Sequence, residues 1–119
     1  MINFDDFKKL DIRIGKILEA EVVPLADRLL KFKVDLGPEG IKQIISGVRE
    51  YYPDPAILVG KSVPVLVNLE PRMIKGIESQ GMILYVVGPP AQASLPEQIG
   101  ENFTTLEPDK SVPPGSIVR

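Results

Sequence analysis

Lys31 and Lys33 alternate with Leu30, Phe32, Val34 and Leu36. One extended segment therefore presents two ammonium groups on one face and four apolar side chains on the other. Residues two apart on a strand stand about 6–7 Å from each other, close to the separation of successive phosphates. That spacing suits an anionic chain, and it equally suits a solvated outer face. A second group of candidates lies downstream. Arg72 offers a planar fork that takes phosphate in two hydrogen bonds or stacks on a flat ring, and Lys75 offers a point charge. Glu70 and Glu78 flank them and repel the same anions. Asn68 ends an apolar run, and its amide both donates and accepts, toward a base edge or a sugar, or else toward the backbone as a turn cap.

The residue types exclude most other chemistry. The 119 residues contain no histidine and no cysteine. Triad nucleophiles, thiolates, disulfides and the commonest metal ligands are thereby ruled out. Aspartate and glutamate pairs remain, but no apolar pocket marks any of them as an acid–base couple. Neither a catalytic residue, a metal nor a cofactor is therefore expected. No run of 18 apolar residues and no basic leader precedes the first strand, so neither a membrane span nor a signal peptide is expected. Net charge is −2, with 14 bases against 16 acids, which does not favour a polyanion partner. The distribution says more: Arg28 to Arg49 holds five bases and two acids, a basic stripe on a near-neutral chain.

The elements that must position these groups are short and mostly extended. Apolar residues at Phe4, Phe7 and Leu10 predict a short helix capped by Asn3. Ile12 and Ile14 alternate with charges and open a strand that bends or bulges at Gly15 and continues to Val23. Leu30–Leu36, a Gly37–Gly40 turn and Ile41–Gly47 read as a hairpin. Pro53 and Pro55 interrupt the next stretch, predicting a turn or short helical piece. Lys61–Leu69 is a fourth strand, in which Pro64 implies an edge or a bulge. Residues 70–76 read as a connection. Ser79–Val87 is a fifth strand, apolar on both faces toward its end. Six of the twelve prolines lie beyond Gly88. Leu95, Ile99, Phe103, Leu106, Val112, Ile117 and Val118 give this tail the means to wrap the body or build an interface. One domain is expected, with a core at 1–88 and a tail at 89–119. Five strands with a helical piece between the third and fourth is the order of a Greek-key OB barrel, although periodicity alone fits another small barrel nearly as well. The expected fold class is all-β: a five-stranded barrel, a short N-terminal helix and an extended C-terminal tail.

Five segments in one order carry a specific resemblance: Asp11–Ile17, Leu29–Gly37, Ile45–Gly47, Val59–Lys61, and Asn68–Arg72 through Glu78–Met82. Together they resemble the tRNA-binding domain family. That family includes the C-terminal domain of methionyl-tRNA synthetase, its free-standing counterparts and the endothelial-monocyte-activating polypeptide. The resemblance is strong over residues 4–88 and looser beyond. It implies an OB-fold, tRNA binding without strict sequence choice, a homodimer and a cytoplasmic location. With no room for a catalytic domain, the chain resembles the free-standing form. It would act alone or as the beta subunit of methionyl-tRNA synthetase, raising tRNA affinity. The export chaperone CsaA resembles it over the same span and sets the alternative, a binder of unfolded peptides. CsaA usually lacks the Gly-Met pair that this chain keeps at Gly81 and Met82.

The resemblance adds Ser79 and Met82 to the expected nucleic-acid-binding set of Lys31, Lys33, Asn68, Arg72 and Lys75. A serine hydroxyl bonds a phosphate or a 2′-hydroxyl, and a thioether lies against a base of any identity. Met82 also fits an ordinary core position. Phe32 is expected to point inward, and Tyr51 and Tyr52 to pack the connection beside Pro53. With few stacking residues left, shape and backbone dominate recognition. About three to five phosphate contacts and a marked salt dependence are expected.

Overall fold

The computed structural model describes residues 1–88 and 102–119. An antiparallel sheet runs in the order β3-β2-β1-β4-β7. Its strands are β1 (Ile12–Val22), β2 (Leu30–Asp35), β3 (Ile41–Ser46), β4 (Ser62–Leu66) and β7 (Met82–Ile83), with β5 (Arg72–Ile74) and β6 (Ile77–Ser79) forming a hairpin between β4 and β7. Three consecutive strands with the fourth returning beside the first is the Greek-key order. The result is a nearly closed five-strand barrel, an all-β, OB-like fold.

The alternation of β2 explains its place at the centre. Leu30, Phe32 and Val34 are fully buried and meet Ile44, Val63, Val65 and Ile83 in one core. Each such side chain contributes about 1.5–3 kcal/mol on leaving water. Between β3 and β4 the chain forms a 3-10 turn at Pro55–Leu58, capped by Asp54, which drives Leu58 into the core. The N-terminal helix α1 (Phe4–Lys8) has the capping box its sequence announces, with the Asn3 side chain accepting from the Asp6 N–H and the Asp6 carboxylate accepting from the Asn3 N–H.

Several expectations need correction. The β1–β2 register shifts between Ile17 and Glu19, placing the bulge beyond Gly15. Gly15 serves close packing instead: a Cβ there would collide with Val34 Cγ1 and come within 2.8 Å of Leu36 Cδ2. Pro64 lies inside β4, buried and paired with Ile14 of β1. Its carbonyl accepts from the Leu84 N–H at 3.0 Å, but its nitrogen has no hydrogen to return the bond. The ladder breaks there, and the expected fifth strand is divided among β6, β7 and β8 (Tyr85–Val87). Val86 and Val87 are exposed rather than buried on both faces.

The described part of the tail contributes two short strands. β9 (Phe103–Thr105) pairs with β8, and β10 (Ile117–Val118) pairs with the start of β1. Residues 89–101, with Leu95 and Ile99, lie outside the described residues.

Candidate nucleic-acid interface

Barrel closure between β3 and the β6–β7 corner is made largely by side chains. The Ile45 N–H donates to Ser79 Oγ at 3.0 Å, and the Ser79 hydroxyl donates to the Gly81 carbonyl at 3.2 Å. The Gln43 N–H donates to Gln80 Oε1 at 2.8 Å, and the Gln80 N–H donates back to the Gln43 carbonyl at 2.8 Å. Gln43 Nε2 donates to the Glu78 carbonyl at 2.9 Å. A hydroxyl and an amide oxygen thus stand in for carbonyls where no regular ladder forms. The segment Glu78–Met82 is the seam of the barrel.

That seam holds the β5–β6 hairpin upright. Its two-residue turn is Lys75-Gly76, with φ of 52° and 80°, so both turn residues take the left-handed backbone of a tight hairpin turn. The lysine is thereby fixed at the tip, exposed. Arg72 and Ile74 point to one side of the hairpin and line a cavity of about 580 Å3. Met73, 67% exposed, alternates to the other. Tyr85, Phe103 and Met82, the last 43% exposed, line the same cavity. Arg72 and Lys75 have no ion-pair partner within 4 Å among the described residues.

Lys31 and Lys33 share the outer face of β2, as their alternation predicts. Lys31 is flanked by Glu21 of β1 and Ile45 of β3, and Lys33 by Glu19 and Gln43. Ile45 also lines the cavity, and Gln43 anchors the hairpin base. The lysine pair therefore borders the same corner as Arg72. The two glutamates, exposed and directly across the ladder, make this face mixed rather than cationic. The Glu19-Ala20-Glu21 alternation carried that signal in the sequence.

The remaining candidates have their polar atoms engaged within the fold. Ser79 lines the cavity but is only 5% exposed, with its hydroxyl in the seam. Asn68 Oδ1 accepts from the Asp11 N–H at 2.9 Å, while Nδ2 donates to the Lys9 carbonyl at 2.7 Å. It clamps the segment joining α1 to β1. The geometry therefore gathers Arg72, Ser79 and Met82 around one cavity, sets Lys31, Lys33 and Lys75 at its margins, and turns the Asn68 side chain toward α1.

The cavity wall adds Tyr85 and Phe103, which lie outside the expected nucleic-acid-binding set. Phe103 stacks on Tyr51 with ring centroids 4.0 Å apart and meets Tyr85 at 5.1 Å and Tyr52 at 6.2 Å. The Tyr85 hydroxyl donates to Ser46 Oγ at 3.2 Å. Burial pushes the Tyr85 phenol up to about 12, against the opposing pull of the Ser46 hydrogen bond. Among the described residues no group of three or more acids could hold a metal ion, and no helix is long and apolar enough to cross a membrane.

A five-strand Greek-key barrel with exposed cations around an apolar corner defines a class of OB-like binding modules. Comparison with known proteins narrows the class. Residues 12–117 match the family model described as "Putative tRNA binding domain", and the chain belongs to that family. It is 42% identical over 118 residues to the methionine–tRNA ligase of Methanococcoides burtonii, covering 99% of this chain and 16% of that protein. It is 43% identical over 96 residues to the enzyme of Enterococcus faecalis, covering 81% of this chain and 14% of that protein. The chain thus spans about one sixth of the length of these relatives. Among solved structures, a MetRS-related protein from Pyrococcus horikoshii superposes with a TM-score of 0.84 at 27% identity, covering 100% of this chain and 98% of that one. The chaperone CsaA from Bacillus anthracis superposes at 0.79 with 29% identity, covering 100% and 99%. The family is a tRNA-binding module, not a catalytic one.

Proposed function

We propose that this chain binds tRNA through the corner where the β5–β6 hairpin meets β2 and β3, and raises tRNA affinity for a methionyl-tRNA synthetase, as a separate module or as its beta subunit. The observation that carries the reading is the family match over residues 12–117. The hairpin supports it by carrying Arg72 and Lys75 with no carboxylate within 4 Å of either among the described residues. In this reading Arg72, Lys75, Lys31 and Lys33 meet phosphates and Met82 lies against the ligand. Ser79 and Asn68 serve by holding the hairpin and the α1–β1 segment. The 119 residues act as one domain, and as a homodimer in the cytoplasm. The exposed Phe4, Leu10, Ile117 and Val118 offer apolar surface for pairing.

The test is a filter-binding titration of mixed tRNA against salt. Arg72→Ala and Lys75→Asn each remove one charge. Asparagine tolerates the left-handed backbone at position 75, so the turn survives. Each variant is expected to weaken binding several-fold at low salt and to flatten the slope of log K against log salt by up to about one. No binding by folded wild-type protein at low salt would defeat the proposal.

The similarity to CsaA and the apolar cavity favour a second reading, a binder of unfolded peptides. It predicts suppression of client aggregation with no response to tRNA.

A further inference from the structure

The cavity beside Arg72 is not built for phosphate. Its wall is chiefly aliphatic and aromatic, with Ile45, Ile74, Met82, Tyr85 and Phe103 contributing. Among the described residues three hydroxyls line it, and all three take part in hydrogen bonds within the protein. Ser79 serves the seam, while Ser46 and Tyr85 bond each other. Apart from Arg72 and Glu70, the cavity's side chains among the described residues have little to offer a charged group and few free donors or acceptors with which to tell one base edge from another. Its volume of about 580 Å3 falls in the range of small-molecule sites. Arg72 lines it as well, with the Lys31 strand position across the ladder from Ile45 and the Lys75 tip beyond. Glu70 also borders the cavity and tempers this charge without pairing to Arg72.

A cation beside an apolar hollow is complementary to a ligand that joins an anion to a flat apolar body. Resting on the tRNA-binding reading, we propose that the cavity receives one unpaired nucleotide, its base inside against Met82 and Ile74 and its phosphate on Arg72. The ligand class is then RNA with an extruded or looped-out residue, recognised irrespective of base identity. A base inside a regular duplex is stacked and unavailable, so fully paired RNA meets only the cations. Because every base has an apolar face, and the hydroxyls here are already paired, pyrimidines and purines enter alike.

The experiment compares three labelled RNAs by fluorescence anisotropy: a blunt duplex, the same duplex with a single-nucleotide bulge, and the bulged duplex with an abasic residue at the bulge. Mixed tRNA is titrated alongside. Wild type is expected to bind the bulged RNA roughly tenfold more tightly than the other two, with similar salt slopes, because the advantage is not a phosphate contact. Replacing the bulged uridine by adenosine should change affinity less than about threefold. Gly47 lies on the cavity wall, and a Cβ there would find only the Arg28 carbonyl, at 3.9 Å. Gly47→Leu should therefore fold, obstruct the cavity and erase the bulge advantage while leaving duplex binding intact. If tRNA binds but bulged and abasic RNAs bind equally, the nucleotide proposal is overturned while tRNA binding stands. Should none of the RNAs bind, both readings fall together. If an apolar peptide binds, is lost in Gly47→Leu, and displaces no bulged RNA, the cavity is a peptide site and the proposal is overturned.

Discussion

At the scale of single residues, position in the family motif and contact with a ligand are separable. Ser79 and Asn68 are polar and lie in the segments that carry the family resemblance. Both spend their polar atoms on backbone groups that the strand ladders leave unpaired. Ser79→Ala leaves the buried Ile45 N–H without an acceptor, and the expected cost is about 1–3 kcal/mol. Asn68→Ala frees exposed groups that water can satisfy, so about 1 kcal/mol is expected. Urea denaturation measures both, and hydrogen exchange at the Ile45 amide should accelerate in the serine variant. Neither substitution should alter the salt slope of tRNA binding once folding is allowed for. An altered slope with unchanged stability would move these side chains back into the interface.

At the scale of elements, the β8–β9 pair is tied to the connection at 48–60 by Phe103 stacked on Tyr51, and to the end of β3 by the hydrogen bond from Tyr85 to Ser46. Burial raises the Tyr85 phenol from 10.0 to about 12. Between those values the unfolded chain has lost the phenolic proton and the folded chain still holds it. Stability from this group is therefore complete below pH 10 and declines as pH rises toward 12, by at most about 1.4 kcal/mol per pH unit. Urea midpoints of wild type should fall faster from pH 10 to 11.5 than those of Tyr85→Phe, and parallel curves would remove Tyr85 as the cause. The strand at Tyr85–Val87 fell within the expected fifth strand, but its pairing with Phe103–Thr105 was not legible, because the two strands lie far apart in the sequence and leave no local turn signal. The β5–β6 hairpin was hidden differently: its turn asks a lysine, rather than asparagine or aspartate, to adopt positive φ before Gly76. Leu30–Leu36 was legible because one face is wholly buried and the other is not. Gly15 was seen as special for the wrong reason, since a break in alternation and a close approach to Val34 both select glycine.

At the scale of the whole molecule, the net charge of −2 means that an anion is not drawn to this protein in general. Attraction must come from local arrangement, and the arrangement is opposed. Lys33 and Lys31 each lie directly across the ladder from Glu19 and Glu21. Those carboxylates are exposed, so salt screens them as readily as it screens the lysines. They limit affinity most at low ionic strength. If RNA crosses the outer face of β2, the double variant Glu19→Gln, Glu21→Gln should bind tRNA about threefold or more tightly at 50 mM salt, with the gain fading by 300 mM, where the Debye length is roughly halved. Glutamine keeps the size and strand position of both side chains, so the fold is not at issue. Unchanged affinity at both salts would place the RNA away from β2 and leave the hairpin cations, Arg72 and Lys75, as the whole electrostatic grip. Reduced affinity would mean that the glutamates hold the lysines in position for phosphate, and that the mixed face is itself the binding surface.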